Sequence, residues 1–356
     1  MPRVEPRGAK PKGISLFMAP RAPIRLPAPR RARLFLGVDG GQTKTVAAIA
    51  DERGEVLGVG AAGPANHVRQ RGGEARMRRA VTGAVRAAAK SAGLRTLHFA
   101  SAYMAMTGGA ELARDVLSEI ADCGRLKAEG DTPAALASVT LGKPGVVVIA
   151  GTGSVAFGIG PSGKQSVAGG WGYIMGDEGS GYRIGLEAIR ACTRSADGRA
   201  PQTALTHAIL DHFRVPDLAH LHRLIYAGRI SRPRIAAAAS VVASVASEDA
   251  AARAILAQAG RELALAAATV IAKLRVGNRP VVVGLVGGVF RAGEPLLRAF
   301  RRELMRRAPW AGIRWPVLPP VLAAVLLAMR EAGLRPGPRV IAALRARADR
   351  SNRMLP

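Results

Sequence analysis

The sequence predicts an α/β fold built twice, giving two domains that face each other across a cleft. At Leu34 an apolar strand runs into a Gly/Thr turn and returns through two more strands. The same arrangement restarts just after Lys143, and helical stretches follow each copy. A cleft between two such units is a natural place for a ligand.

Each element follows from local pattern. "LFLGVDGG" reads as a buried strand closed by glycines, and "KTVAAIADERGEVLGVGAAG" as two strands around a turn at Glu52–Gly54. A helix is expected over Glu74–Ser91, a strand through "LHFASAYMAMTG", and a helix near Ala110–Ala121. A short strand toward Asp131 and a helix over Pro133–Val139 close the first unit. In the second, "KPGVVVIAGTGSVAFGIGPSGKQSVAGG" repeats strand, turn, strand, turn, strand. Alanine-rich helices follow at Arg234–Ala246 and Ala250–Leu274. Then come the strand "PVVVGLVGG", a helix from Glu294, a strand near "IRWPV" and a helix from Val321 to Ala332. The expected division is a leader over 1–33, domains over 34–142 and 143–335, and a basic tail over 336–356 that can form one more helix.

Composition bounds the function classes. Apolar residues make up 49% of 356 and aromatics only 4%, so the core must be aliphatic and alanine-built. Gly, Arg or Pro interrupts each long apolar run, so no bilayer span is expected. Two cysteines, Cys123 and Cys192, cannot build a disulfide framework or a zinc site, and fit a reducing cytoplasm. The net charge of +27 is partly concentrated in residues 1–33, which hold nine basic residues against Glu5 alone. That Pro/Arg-rich segment is expected to be disordered. It reads as a transit-like leader, a nucleic-acid arm, or translated sequence upstream of a start at Met18. Elsewhere the arginines lack the aromatic interleaving of single-strand binders, so nucleic-acid binding is a minor reading, and with no bilayer span no membrane partner is expected. A homodimer is compatible with the sequence.

Three glycine-containing turns carry candidate chemistry. In "GVDGGQTKT", Gly40 and Gly41 can turn backbone N–H groups toward an anion, and Thr43 can donate to a phosphate oxygen. Asp39 at the strand end can hold Mg²⁺ directly or through water. An ordinary glycine hairpin reads equally well from this segment alone. "VVVIAGTGSVAFG" repeats the device with Gly151, Thr152, Gly153 and Ser154, and two facing copies are more specific than either. Neither is a Walker loop, and neither opens a Rossmann helix. In "VVVGLVGGVFRAG", Gly287 and Gly288 suit either an adenosine lying against backbone or close strand–helix packing. Between the second and third turns lies "GGWGYIMGDEGSGYRIG", Gly169–Gly185, where Asp177 and Glu178 sit among glycines with apolar Trp171, Tyr173, Ile174 and Met175 expected to pack around them.

These motifs, in this order, resemble the BadF/BadG/BcrA/BcrD ATPase family of the actin/hexokinase/Hsp70 superfamily, and within it the N-acetylglucosamine kinase group. The likeness runs from Leu34 to Ala332, and Trp-Gly-x-x-x-Gly-Asp-Glu-Gly-Ser is its most specific part. It implies a duplicated actin-like, RNase H-like ATPase fold around a nucleotide and sugar cleft. The implied reaction is phosphoryl transfer from MgATP to a hydroxyl of an amino sugar such as N-acetylglucosamine or glucosamine. On the matching positions, Thr43 and Thr152 contact ATP phosphates and Gly288 lies in the adenosine loop. Asn66, Ser154, Gly170, Trp171, Gly172 and Asp177 contact the sugar, while Asp131 contacts it as the general base. His67 would help wall the pocket. Bottom-up, Asp131 reads as a helix N-cap or as that base, and Asp177 as a loop acid near a helix start or a bidentate partner of two hydroxyls.

Two departures from the resemblance bear on specificity. Val155 stands where these kinases tend to have Asn after Gly-Thr-Gly-Ser, which leaves glucosamine, another amino sugar or a different polyol open; Ala323 replaces a frequent Gly. Two other functions remain open from the sequence. One is an ATPase that activates a 2-hydroxyacyl-CoA dehydratase or benzoyl-CoA reductase through an iron–sulfur cluster, for which cysteines are needed. The other is an inactive kinase-fold binding protein.

Overall fold

The structure is a computed structural model that describes residues 32–352 apart from 66, 67 and 69. The expected disorder of 1–33 therefore lies, for 1–31, outside the described residues, as do the expected roles of Asn66 and His67. The described residues from Arg33 onward form one compact unit.

The first half contains strands β1 (Leu34–Gly40), β2 (Thr45–Asp51) and β3 (Val56–Ala62), then helix α1 (Gly73–Ser91). The expected single strand through "LHFASAYMAM" is broken at Ala100 into β4 (His98–Phe99) and β5 (Ser101–Met106). The break has a simple cause: β4 pairs with β6 (Asp122–Cys123) in a separate two-stranded sheet, while β5 joins β1. Helix α2 (Ala110–Ile120) precedes β6, and β7 (Leu126–Gly130) leads into α3 (Thr132–Thr140).

The second half has β8 (Gly145–Ala150), β9 (Ser154–Ile159), β10 (Gln165–Gly169) and a short helix α4 (Gly172–Met175). Helices α5 (Gly181–Ala196), α6 (Leu205–Phe213), α7 (Leu218–Tyr226), α8 (Arg232–Val245) and α9 (Ala250–Leu274) come next. Strand β11 (Val281–Val286), a 3₁₀ turn at Gly288–Arg291, α10 (Glu294–Arg307), β12 (Ala311–Arg314), α11 (Pro320–Glu331) and α12 (Pro338–Asn352) complete it.

Two five-stranded sheets share one topology, β3-β2-β1-β5-β7 and β10-β9-β8-β11-β12. In each, an antiparallel meander of three strands meets two further strands that run parallel to its first. All the parallel strands of a sheet therefore end on the same edge, and their C-terminal loops cluster there. Ligands collect at such edges in open α/β sheets.

The cores follow from amphipathic spacing. Along α1, Met77, Ala80, Val81, Ala84, Val85 and Ala88 recur at three- and four-residue intervals, and all are buried against β2 and β3. In the second lobe, α9 runs beneath the sheet, with Leu256, Leu263, Ala267 and Val270 in the largest core cluster. By length and composition alone this 25-residue helix is apolar enough to cross a membrane, contrary to the reading of the sequence. Half of it is buried inside the protein, where Ala and Leu fill the layer between β9 and α10.

Helix α11 departs from the expected division. Its Val321, Leu322, Ala324, Val325 and Met329 pack on Phe35, Ala48, Ala50 and Tyr103, which lie on one face of the first sheet. Helix α3 in turn lays Ala135 and Leu136 against Val147 and Phe157 of the second sheet. The Ser138 carbonyl accepts from the Val317 and Leu318 N–H groups at 2.9 and 3.2 Å, tying α3 to the start of α11. We propose that the first lobe is completed by α11 and α12, not closed near residue 142.

Candidate active site

Parallel pairing brings three loops to one edge of the first sheet. Asp39 is opposite Ala105 on β5, and Ala105 is opposite Glu129 on β7. Asp39 is thus the penultimate residue of β1, Thr107 follows β5, and Asp131 follows β7. The Thr107 N–H donates to the Gly40 carbonyl at 2.8 Å, and its hydroxyl donates to Asp131 Oδ2 at 2.8 Å. Asp131 occupies the N-cap position of α3, yet its side chain makes no capping bond. The capping role that competes with a chemical one is therefore not the one its carboxylate performs.

The two carboxylates are electrostatically uncomfortable. Burial pushes the Asp39 carboxyl up to about 6, helped by the Asp131 charge, while Lys44 pulls it down. Burial also raises Asp131, and the Thr107 hydroxyl offsets part of that rise. A divalent cation would relieve such a pair. Among the described residues no cluster of three or more His, Cys, Asp or Glu forms a metal cage. Mg²⁺ does not need one, since it commonly uses one or two carboxylates, waters and substrate phosphates.

A pH prediction follows for the ligand-free protein. Between about pH 4 and 6, Asp39 stays protonated when folded but is ionised when unfolded, so the folded state holds the extra proton. Stability is expected to fall as pH rises through this window, by about 3 kcal/mol in all, and then to level off. Denaturant unfolding of the wild type and Asp39→Asn across pH 4–7 checks this. The variant should lack most of the fall.

The first hairpin is not the open cradle expected from its glycines. Neither Gly40 nor Gly41 has a positive φ, and the Gly41 N–H closes the turn on the Lys44 carbonyl at 3.0 Å. Gly40 is a packing residue: a Cβ there would lie 2.2 Å from the Met106 methyl. Thr43 at the tip is exposed. The second hairpin closes in the same way, with the Gly151 N–H on the Gly153 carbonyl at 2.9 Å. Thr43, Thr152 and Gly288 line one cavity of about 540 Å³, whose far wall includes Ala236 and Ser240 of α8. Gly287 lets the third loop reach it: its φ is +114°, and a Cβ would sit 2.2 Å from the Ala150 carbonyl oxygen at the end of β8. Gly288 itself faces open space.

The acid pair divides clearly. Asp177 is buried in a left-handed turn at φ +61° and accepts from the Ser154 N–H at 3.0 Å and from Arg232 Nη2 at 3.2 Å. Glu178 is exposed, and its carbonyl, not its carboxylate, takes the Ser154 hydroxyl at 2.7 Å. Ser180 caps α5 by accepting from the Arg183 N–H at 3.2 Å. Arg232 also lies 5.0 Å over the Tyr173 ring, which meets Tyr182 edge-on. Arg232 lies 55 residues from Asp177, and nothing in the sequence marked it.

Three of the four apolar residues expected to pack around the acids do not do so. Trp171, Ile174 and Met175 are 71%, 78% and 72% exposed, on the turn opened by Gly169 and Gly170, both at φ +78°. A Cβ at Gly170 would lie 3.1 Å from Val155 Cγ2, so Val155 abuts this turn. Cys192 is buried and Cys123 half-buried, with both thiols pushed up to about 11 by burial.

Two lobes of common topology, with carboxylates and threonine hairpins meeting at their facing strand ends, define an actin-like nucleotide-binding enzyme. The chain belongs to the BadF/BadG/BcrA/BcrD ATPase family, whose signature spans residues 36–328. It is 31% identical over 306 residues to an N-acetylmuramic acid/N-acetylglucosamine kinase of Clostridium acetobutylicum, covering 84% of this chain and 99% of that protein. A glucosamine kinase of Vibrio cholerae is 32% identical over 183 residues, half of this chain and 61% of that one. The solved structure of a candidate N-acetylglucosamine kinase from Chromobacterium violaceum superposes with a TM-score of 0.68 at 29% identity, over 83% of this chain and 99% of that one.

Proposed function

We propose that this protein is an amino-sugar kinase that moves the γ-phosphoryl group of MgATP to a sugar hydroxyl. The observation that carries the reading is the convergence of Thr43, Thr152 and Gly288 on one cavity between the lobes. The kinases to which the chain is similar support the substrate class. Glucosamine and N-acetylglucosamine are the first acceptors to test. Val155, with its methyl against Gly170, offers no amide to an N-acetyl group.

In this reading Thr43 and Thr152 hold the phosphates by their hydroxyls, and the Gly287–Gly288 loop carries the adenosine. Asp39 is the residue to hold Mg²⁺. When bound, Mg²⁺ neutralises phosphate charge, which is most of what phosphoryl transfer asks of a protein. Asp131 accepts the proton of the attacking hydroxyl. The Gly170–Gly172 turn, Trp171, Ser154, Asn66 and Asp177 are assigned to the sugar. Asp177 already braces Ser154, so sugar binding draws on its remaining lone pairs or displaces Arg232.

Coupled ADP release with MgATP, screened over glucosamine, N-acetylglucosamine and glucose, tests the reading. ADP release that depends on an amino sugar is expected. Release that no sugar increases would overturn it.

A further inference from the structure

We infer that Thr107 is a positioning residue for phosphoryl transfer, holding Asp131 by Oδ2 so that Oδ1 is the oxygen presented to the attacking hydroxyl. The inference rests on the reading of Asp131 as the base. Three observations carry it. Thr107 is itself fixed, because its N–H is bonded to the Gly40 carbonyl at the end of the neighbouring strand. Its hydroxyl then has a defined direction and meets Oδ2 at 2.8 Å. The same carboxylate sits at a helix start where an Asp ordinarily caps, and it makes no such bond. The hydroxyl holds the carboxylate where capping would otherwise turn it inward.

The chemistry suits a neutral donor. One O–H bond to the ionised carboxylate fixes its plane and stabilises its charge moderately, less than a cation would. The remaining oxygen keeps enough basicity to take a proton. In the transfer step the sugar hydroxyl proton passes to Asp131 Oδ1, and the sugar oxygen forms a bond to the γ-phosphorus. The bond from that phosphorus to the β–γ bridging oxygen breaks, and ADP leaves with the electron pair. The charged group coupled to Asp131 is Asp39 on β1, which Lys44 of the hairpin offsets in turn, and the Asp131 backbone N–H also supports its own carboxylate.

Thr107→Val removes the donor but keeps the branched shape, Thr107→Ser keeps the donor, and Thr107→Ala is a second donorless variant should the valine not fold. With MgATP and the better acceptor of glucosamine and N-acetylglucosamine, Thr107→Val is expected to lower kcat about 10- to 100-fold. The acid limb of its pH profile should move to higher pH, because the ionised carboxylate has lost a stabilising bond. Thr107→Ser should restore both, and ATP affinity without sugar should change little in any of them. Wild-type kcat and an unmoved acid limb in both donorless variants, beside an inactive Asp131→Asn, would overturn the role of Thr107 alone. Turnover retained by Asp131→Asn would overturn the base itself, and the inference with it.

Discussion

Asp131→Asn is expected to abolish most phosphoryl transfer, lowering kcat about 10²- to 10⁴-fold while leaving ATP affinity nearly intact. Asn matches Asp in size and can still accept from the Thr107 hydroxyl, so the local fold should persist. It cannot take the proton of the attacking hydroxyl. The loss should therefore appear in kcat, with little change in the midpoint of thermal unfolding. Because Asp39 and Asp131 repel each other, removing one charge also lets Asp39 ionise more readily. Metal-dependent nucleotide binding is the control: it should survive in Asp131→Asn and weaken in Asp39→Asn. Undiminished turnover in Asp131→Asn would remove the base assignment.

Asp177→Ala is expected to show two losses at once. The first is stability. The Ser154 N–H and the Arg232 guanidinium would both lose an acceptor, and Arg232 Nε is already buried without a partner. Breaking a buried ion pair costs about 3–5 kcal/mol, but Arg232 is 28% exposed and partly served by solvent, so about 2–3 kcal/mol is expected. The second loss is sugar affinity, a KM raised about tenfold with ATP affinity unchanged. Thermal unfolding and steady-state kinetics on the same preparation separate them. A lower midpoint with an unchanged KM would make Asp177 a brace for the second hairpin and nothing more.

Sequence reading reached the duplicated sheets because each copy announces itself locally. An apolar strand ends in glycines, and the next strand begins within a few residues, as at Val38–Thr45 and Ile149–Ser154. Asp39 drew notice from its place at a strand end, whereas Asp131 was singled out as a base only through the family resemblance, since a residue before a helix reads first as an N-cap. Thr107 escaped, since nothing in "AMTGGA" distinguishes it. Only the pairing of β5 with β7 sets its hydroxyl beside a carboxylate 24 residues away. Arg232 escaped for the same reason over a longer span. The exposed Trp171, Ile174 and Met175 show the opposite failure. Composition suggested burial, but the left-handed glycines before them turn the chain outward. The glycines of the first hairpin were read for backbone freedom, whereas Gly40 is needed for the room it leaves Met106.

The return of α11 to the first sheet sets an order on biosynthesis. Phe35, Ala48, Ala50 and Tyr103 are made before the second sheet, and their cover, Val321 to Met329, only after it. At the ~5–20 residues per second of translation, that apolar face waits for tens of seconds without its partner helix. The nascent chain thus carries this apolar face without its own cover while the whole second sheet is made.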